Sequence, residues 1–246
     1  MAAMKNAHLL AGASVVVAGA VLMWSTQAPA SAEAPSAAQI EAAAMAAAQT
    51  GNPEARQQLQ RWARQGLPVA ERELGTLYRK QPERQGAARQ LLEHAARAGD
   101  AEAAYQLGEL LRAGSAAAPG QPDKAWPWYR QAAEARHARA ALTLGQMAAN
   151  GDGVRKDAAV AARWLALASG LGNAHAMFLL SNAYRYGVGV ERDEARGFAL
   201  LEEAAEHEYP PALQDLALAV QNDDALRASH LLKEASEHRR NNWNRY

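Results

Sequence analysis

Cysteine is absent from all 246 residues of this chain. Its absence excludes disulfide bonds, catalysis by a thiolate and metal sites built on cysteine. It also excludes a lipoprotein-type anchor at the N-terminus, because that lipid is attached to a cysteine side chain. A chain of this length does not need disulfides if its elements stack into a continuous core.

An excess of charge of one sign is also absent, since 26 Lys and Arg residues balance 26 Asp and Glu residues. No strong attraction to nucleic acid or to an anionic membrane surface is expected, and we predict no nucleic-acid partner. Aromatic residues make up only 6% of the chain, whereas alanine is abundant. Small side chains let helices pack closely, which favours an all-α stack.

One long apolar run is present, from Leu9 to Trp24. It follows Lys5 and precedes residues 28–30 and 30–32, two A-x-A sequences of the kind that signal peptidase cleaves. We therefore predict a signal peptide over residues 1–32 and export to the periplasm, with secretion as a further possibility. The alternative is an uncleaved anchor, but the run is short and rich in Gly and Ala for a spanning helix of ~20 residues. After cleavage no stable membrane insertion is expected.

The rest of the chain repeats a short pattern about every 36 residues. Leu144-Gly145 recurs as Leu180-Ser181, and the Gly-x-Gly turn at 151–153 recurs at 187–189. Such an interval indicates small stacked units that bury their apolar faces against one another. The glycine of each Leu-Gly pair is expected where two helices approach closely. Trp128 and Trp164, one interval apart, are expected in the core, which leaves Trp62 and Trp126 as weaker binding candidates.

Turn signals divide each unit into two helices, and no strand-like alternation persists. First helices are predicted over 67–80, 101–113, 138–149, 174–186 and 210–221, and second helices over 82–98, 121–135, 156–169, 193–207 and 223–239. Asp157 and Asp193 are placed to cap second helices. The predicted domains are the signal peptide, an alanine-rich N-terminal helix or cap at 33–52, a repeat solenoid at 53–239 and a polar tail at 240–246.

The repeated residues resemble the Sel1-like repeat family, whose pattern runs A-x-x-x-L-G-x-x-Y-x-x-G-x-G-V-x-x-D, then an aromatic residue and A-A-x-x-G-x-A. The stretch 140–174 matches best, and the resemblance covers about residues 53–239. It implies a right-handed α/α superhelical solenoid of about five helix-turn-helix repeats, similar to tetratricopeptide repeats. It also implies an adaptor that binds a protein or peptide.

Side-chain patterns typical of enzymes are missing. The histidines form no H-E-x-x-H pattern, and neither a G-x-S-x-G nor a G-x-x-x-x-G-K-[ST] motif occurs. The two Gly-x-Gly-Val turns follow helices and recur with the repeat, so permissive backbone geometry explains them better than phosphate binding. We predict no catalytic activity, no metal and no cofactor.

In tetratricopeptide-like stacks the concave groove is lined by residues at fixed offsets from the glycine of each first helix. By that analogy, the predicted partner-binding residues are Arg72, Tyr105, Arg112, Arg139, Asn150, Phe178, Asn182 and Arg185. Arginine forks bind carboxylates in a bidentate manner, asparagine amides can pair with a peptide backbone, and the aromatic rings can hold apolar side chains. The alternative is ordinary solvated surface.

The leading functional hypothesis is a non-enzymatic scaffold of the bacterial cell envelope that binds a protein or peptide partner on its concave face. Three alternatives remain open at this point. One is a secreted factor that engages host proteins, and a second is self-association through exposed terminal helices. The third is binding or hydrolysis of β-lactams, which cysteine-rich members of the family suggest, but this chain lacks their cysteines and a serine–lysine nucleophile motif.

Overall fold

The computed structural model describes residues 34–114 and 119–241, and these ranges contain twelve α-helices and no strand. Helices α1 to α12 span Ala37–Gln49, Pro53–Arg64, Pro68–Arg79, Gln85–Arg97, Ala101–Ala113, Pro122–Glu134, Ala138–Asn150, Ala158–Gly170, Ala174–Tyr186, Glu194–Glu206, Pro210–Val220 and Ala225–Asn241. A 3₁₀ turn at Pro82–Arg84 replaces the predicted start of α4. The all-α prediction is confirmed, whereas the predicted signal peptide lies outside the described residues.

Helices α3 to α12 form five consecutive pairs. Within each pair the two helices pack on each other, and the second helix also packs on the first helix of the next pair. This arrangement confirms the predicted helical repeat solenoid. Each first helix is thereby placed beside the first helices of neighbouring units, which is the geometry that creates an extended binding face.

Short polar side chains cap the N-terminal ends of several helices of this stack, among them α5, α8, α9 and α10. The carboxylate of Asp157 accepts a hydrogen bond from the N–H of Val160 (2.9 Å), and that of Asp193 accepts one from the N–H of Arg196 (3.0 Å). Both predicted caps are therefore confirmed. Each satisfies a backbone donor that the helix itself leaves unpaired, and each negative charge faces the positive end of the helix dipole.

The repeat glycines lie at the closest approach between the two helices of a unit. A Cβ atom on Gly108 would lie 2.7 Å from ring carbon Cε1 of Tyr129, and one on Gly145 would lie 2.8 Å from Cγ of Leu165. In the unit that has Ser181 instead, the glycine stands on the opposite helix. A Cβ on Gly197 would lie 2.9 Å from the carbonyl oxygen of Ser181. Every one of these three units therefore keeps one residue without a side chain at the contact.

In the second helices α6 and α8, the residue buried against the glycine lies one position after the tryptophan that was expected there. Tyr129 is fully buried against Gly108 and Leu165 is buried against Gly145, whereas Trp128 and Trp164 are only half-buried at the edge of the core. Trp126, one of the two weaker binding candidates, packs edge-on against Trp164 with ring centroids 6.5 Å apart. Trp128 and Trp164 thus pack against the core from its edge and not at its centre, because the helix turns the residue after each tryptophan towards the glycine.

The two ends of the stack differ in character. At the N-terminal end, α1 packs on α2 and α3 and buries Ile40, Ala44 and Ala47. At the C-terminal end, α11 and α12 expose Leu218 and Leu226 to solvent. None of the helices in the two described ranges combines the length and apolar character that crossing a bilayer requires.

Replacing Gly108 by alanine tests the helix–helix contact. The added methyl group collides with the buried ring of Tyr129, so we expect the free energy of unfolding to fall by about 1–3 kcal/mol. Urea denaturation followed by circular dichroism measures it. Gly86 in α4 is the matched control, since a Cβ there meets no atom within 4 Å and alanine there should be neutral or stabilising. Equal losses in both variants would contradict the close-approach interpretation.

Candidate functional site

Three of the predicted partner-binding side chains hold neighbouring units together. Arg72 donates to Asp100 at the start of α5 (3.0 Å), the ring of Tyr105 stacks on His137 at the start of α7 (centroids 4.6 Å apart), and Phe178 packs on Tyr209 (5.6 Å). Each side chain stands three residues before the glycine position or its equivalent, and reaches the residue that precedes the next first helix. These contacts fix the stacking of one unit on the next.

Arg72 is the most enclosed of the three. Its guanidinium also contacts Glu41 and Glu73, both at 2.8 Å, and its side chain is only 14% exposed. The contact with Glu41 joins the N-terminal helix α1 to the first complete unit. The hydrogen-bonding capacity of Arg72 is therefore used within the chain, which favours a structural role for this residue.

His137 connects two units through both ring nitrogens. Nδ1 accepts a hydrogen bond from the N–H of Ala140 (3.1 Å), so the proton of the neutral ring resides on Nε2 and is donated to Glu102 Oε2 (2.8 Å). The hydrogen bond from His137, opposed by burial, lowers the pKa of Glu102 from 4.5 to about 2. The first turn of α7 thus depends on a carboxylate of the preceding unit.

A cleft of about 540 Å³ runs across the first helices α5, α7 and α9 and is here called the inner groove. Its lining includes Tyr105, Arg112, Arg139, Leu142, Gln146 and His175. The groove thus brings together three of the predicted residues, Tyr105, Arg112 and Arg139, from two consecutive units. Its far side is formed by the third unit, so a ligand lying along it would touch three units at once.

Cationic and aromatic groups meet in the inner groove. Arg139 is 61% exposed, lies 3.4 Å from Glu102 and has its guanidinium carbon 5.1 Å from the centroid of the Tyr105 ring. Burial lowers the pKa of His175, so this ring is uncharged near neutral pH. Arg139 therefore offers the groove an accessible positive charge, held in place by one carboxylate and one ring, and Arg112, which is 40% exposed, offers a second.

A second cleft, of about 680 Å³, opens between the C-terminal halves of α7 and α9 and is here called the α7–α9 cleft. The predicted residues Arg112, Asn150 and Asn182 line it, together with Ala149, Ala162 and Leu165. Arg112 and Gln146 line both clefts. The two clefts therefore share a boundary and form one continuous surface.

Arg185 lies outside both clefts. Its side chain is 20% exposed, approaches Asp215 at 3.8 Å and has its guanidinium carbon 5.2 Å from the ring centroid of Phe198. These contacts tie α9 to α10 and α11. Of the eight predicted residues, five line the two clefts, namely Tyr105, Arg112, Arg139, Asn150 and Asn182, while Arg72, Phe178 and Arg185 do not.

The sequence-based prediction missed the residues on the second helix that lie beneath the opening. Ala158, Ala161 and Ala162 of α8 line the α7–α9 cleft, but the family analogy considers first helices only. Comparing each residue of α8 with the residues one repeat interval before and after it would have identified these alanines. Within the described ranges, no three His, Asp or Glu side chains come together as a metal site would require.

Replacing Glu102 by glutamine tests the link to His137. Because the folded-state pKa of Glu102 lies below its ordinary value, its stabilisation is complete above about pH 4.5 and is lost as the pH falls towards 2. We expect the variant to melt at a lower temperature than the wild type near neutral pH, and the difference to shrink as the solution is acidified through that window. The exposed Glu203→Gln variant should show no such pH-dependent gap. A difference that stays constant with pH would contradict the assignment.

Comparisons of the sequence and of the structure with known proteins both find Sel1 repeats. A family model described as Sel1 repeat matches residues 101–137, 138–173 and 174–209, which correspond to the pairs α5–α6, α7–α8 and α9–α10. No curated protein matches the sequence. Among solved structures, a Sel1 repeat protein from Oxalobacter formigenes is 26% identical, with a TM-score of 0.64 over 82% of this chain and 79% of the other.

A protective antigen of uropathogenic Escherichia coli with an SLR fold is also similar. It is 22% identical, with a TM-score of 0.71 over 82% of this chain. This chain spans 45% of the length of that protein, so the similarity concerns the fold of the shared part. Residues 101–209 are therefore three consecutive Sel1 repeats.

Proposed function

We propose that this protein is a non-enzymatic interaction scaffold of the bacterial cell envelope that binds an extended peptide segment of a partner protein along its first helices. The observation that carries the proposal is the continuity of the inner groove with the α7–α9 cleft through Arg112 and Gln146. A surface that crosses consecutive units suits a ligand that is long and extended.

The groups along this surface fit the chemistry of a peptide. Gln146 and Asn182 occupy equivalent positions one repeat apart, and their amides can pair with N–H and C=O groups of a peptide backbone. Arg139 offers a guanidinium to a carboxylate. Leu142 and Leu179 supply apolar surface between these polar groups. Balanced net charge favours a protein partner over a nucleic acid.

The proposed location rests on the sequence of residues 1–32. A positive start, an apolar run and two A-x-A sites together favour export and cleavage. The periplasm is the proposed destination because a scaffold with an open groove can serve envelope proteins there. Release into the medium as a factor that engages host proteins is the second candidate, and cell fractionation separates the two.

Site-specific photo-crosslinking tests the binding face. Benzoylphenylalanine at Asn150, an exposed residue that lines the α7–α9 cleft, should capture a discrete partner in the bacterial cells that produce the protein. Glu203, exposed on the second helix α10, is the control and should capture none. Equal capture from both positions, or none from Asn150 in cells where the protein is folded and exported, would contradict the proposal. Capture of a second copy of the chain would indicate self-association instead.

Processing of the N-terminus is tested separately. If residues 1–32 are a cleaved signal peptide, the protein recovered from cell fractions should begin at Glu33 and appear in the periplasmic fraction. Cleavage at the alternative site would give a chain that begins at Ser31. Intact-mass measurement distinguishes these products, and recovery of the full-length chain in the membrane fraction would show that the segment is retained as an anchor.

A further inference from the structure

We infer that the α7–α9 cleft binds an aromatic or large aliphatic side chain of the partner peptide, next to a carboxylate of the same peptide. This inference rests on the proposed function and adds a recognition rule to it. The first reason is a difference between repeats. Ala162 on α8 stands where the units on either side, one interval away, have Trp126 on α6 and Phe198 on α10.

The helix facing Ala162 shows the same difference. Ala149 on α7 stands where the neighbouring units have Arg112 and Arg185. In the following unit, Arg185 covers the ring of Phe198 at 5.2 Å and so closes the space between the two helices. In the α7–α8 unit both members of that pair are alanine, and both line the cleft. An arginine and an aromatic ring are therefore replaced by open volume.

The size and lining of that volume suit a large apolar side chain. The cleft measures about 680 Å³, which lies within the range of 300–1,000 Å³ typical of ligand pockets. Leu165, Leu179 and Ala183 form apolar walls. At its mouth, Tyr186 is 68% exposed and Val188 is also exposed. Large apolar groups that remain in water beside an apolar cleft are typical of a binding site.

The charges at the rim of the cleft determine which group of the peptide can bind beside its apolar side chain. Lys156 lines the cleft, is exposed and forms no ion pair within residues 34–114 and 119–238. Arg112 is 40% exposed and approaches Asp152 at 3.5 Å, so the carboxylate of Asp152, which also lines the cleft, already has a cationic partner. The free ammonium group is complementary to an aspartate or glutamate, or to a C-terminal carboxylate, beside the anchoring side chain.

Selection from random peptides displayed on phage tests the recognition rule with a defined probe. The wild-type protein, immobilised through its C-terminus, should enrich peptides with an aromatic or large aliphatic residue next to an acidic one. Synthetic copies of the enriched peptides are then titrated by fluorescence anisotropy against three variants. Ala162→Phe introduces the residue found at position 198, Ala149→Arg introduces the residue found at 112 and 185, and Lys156→Glu reverses the rim charge.

We expect Ala162→Phe and Ala149→Arg each to weaken binding by about tenfold or more, and Lys156→Glu to weaken binding most for the acidic peptides. Both cleft-filling residues occur at equivalent places in neighbouring units, so the fold should tolerate them, and circular dichroism checks this. Ala166→Phe is the matched control, since Ala166 is exposed on the same helix and does not line the cleft. It should bind as the wild type does.

The outcomes separate the inference from the proposed function. Enriched peptides that lack the apolar–acidic pair, or that bind the folded cleft-filling variants as tightly as the wild type, would overturn the inference and leave peptide binding intact. Failure of the wild-type protein to enrich any peptide would overturn both. Loss of binding in Ala166→Phe to the same extent as in Ala162→Phe would also overturn the inference, because the effect would not be specific to the cleft.

Discussion

The close approach of two helices at a residue without a side chain is the constraint on which this fold depends. At Gly108 and Gly145 the backbone of the first helix touches a buried side chain of the second, and in the next unit Gly197 performs this task from the opposite helix. The contact sets the distance between the helices of a unit. That distance in turn fixes where the next unit can stack and which side chains face the groove.

Stacking of the units uses some residues that a groove model assigns to binding. Arg72, Tyr105 and Phe178 each reach the start of the next first helix, although Tyr105 also lines the inner groove. A first helix in a solenoid has one inner face, and that face must serve both the neighbour and the ligand. Positions transferred from related repeats identify this face, but they do not show which of its residues contact the neighbouring unit and which are left to contact a ligand.

The fold could be predicted from the sequence because the residues that define its helices act locally and recur in each unit. Glycines at helix ends and aspartates at helix starts marked the elements, and the interval between Gly145 and Ser181 defined the unit. The register of Trp128 and Tyr129 was missed because neighbouring residues on a helix differ by about 100° in direction, and a pattern match does not show which one faces the glycine. The α7–α9 cleft was not predicted, because a cavity forms only where several helices have small side chains at the same place.

The buried side chains of the described ranges divide into three clusters along the stack: one at the N-terminal end around Leu59, a central one around Leu144 and one at the C-terminal end around Leu213. Stability in a stacked array is approximately the sum of contributions from each unit and its contacts with adjacent units. The central cluster has a neighbour on each side, and it includes Leu165 and Ala183 of the α7–α9 cleft. The cleft therefore lies in the part of the stack that has packed neighbours on both sides, and thermal fraying is expected to begin at the ends of the stack rather than there.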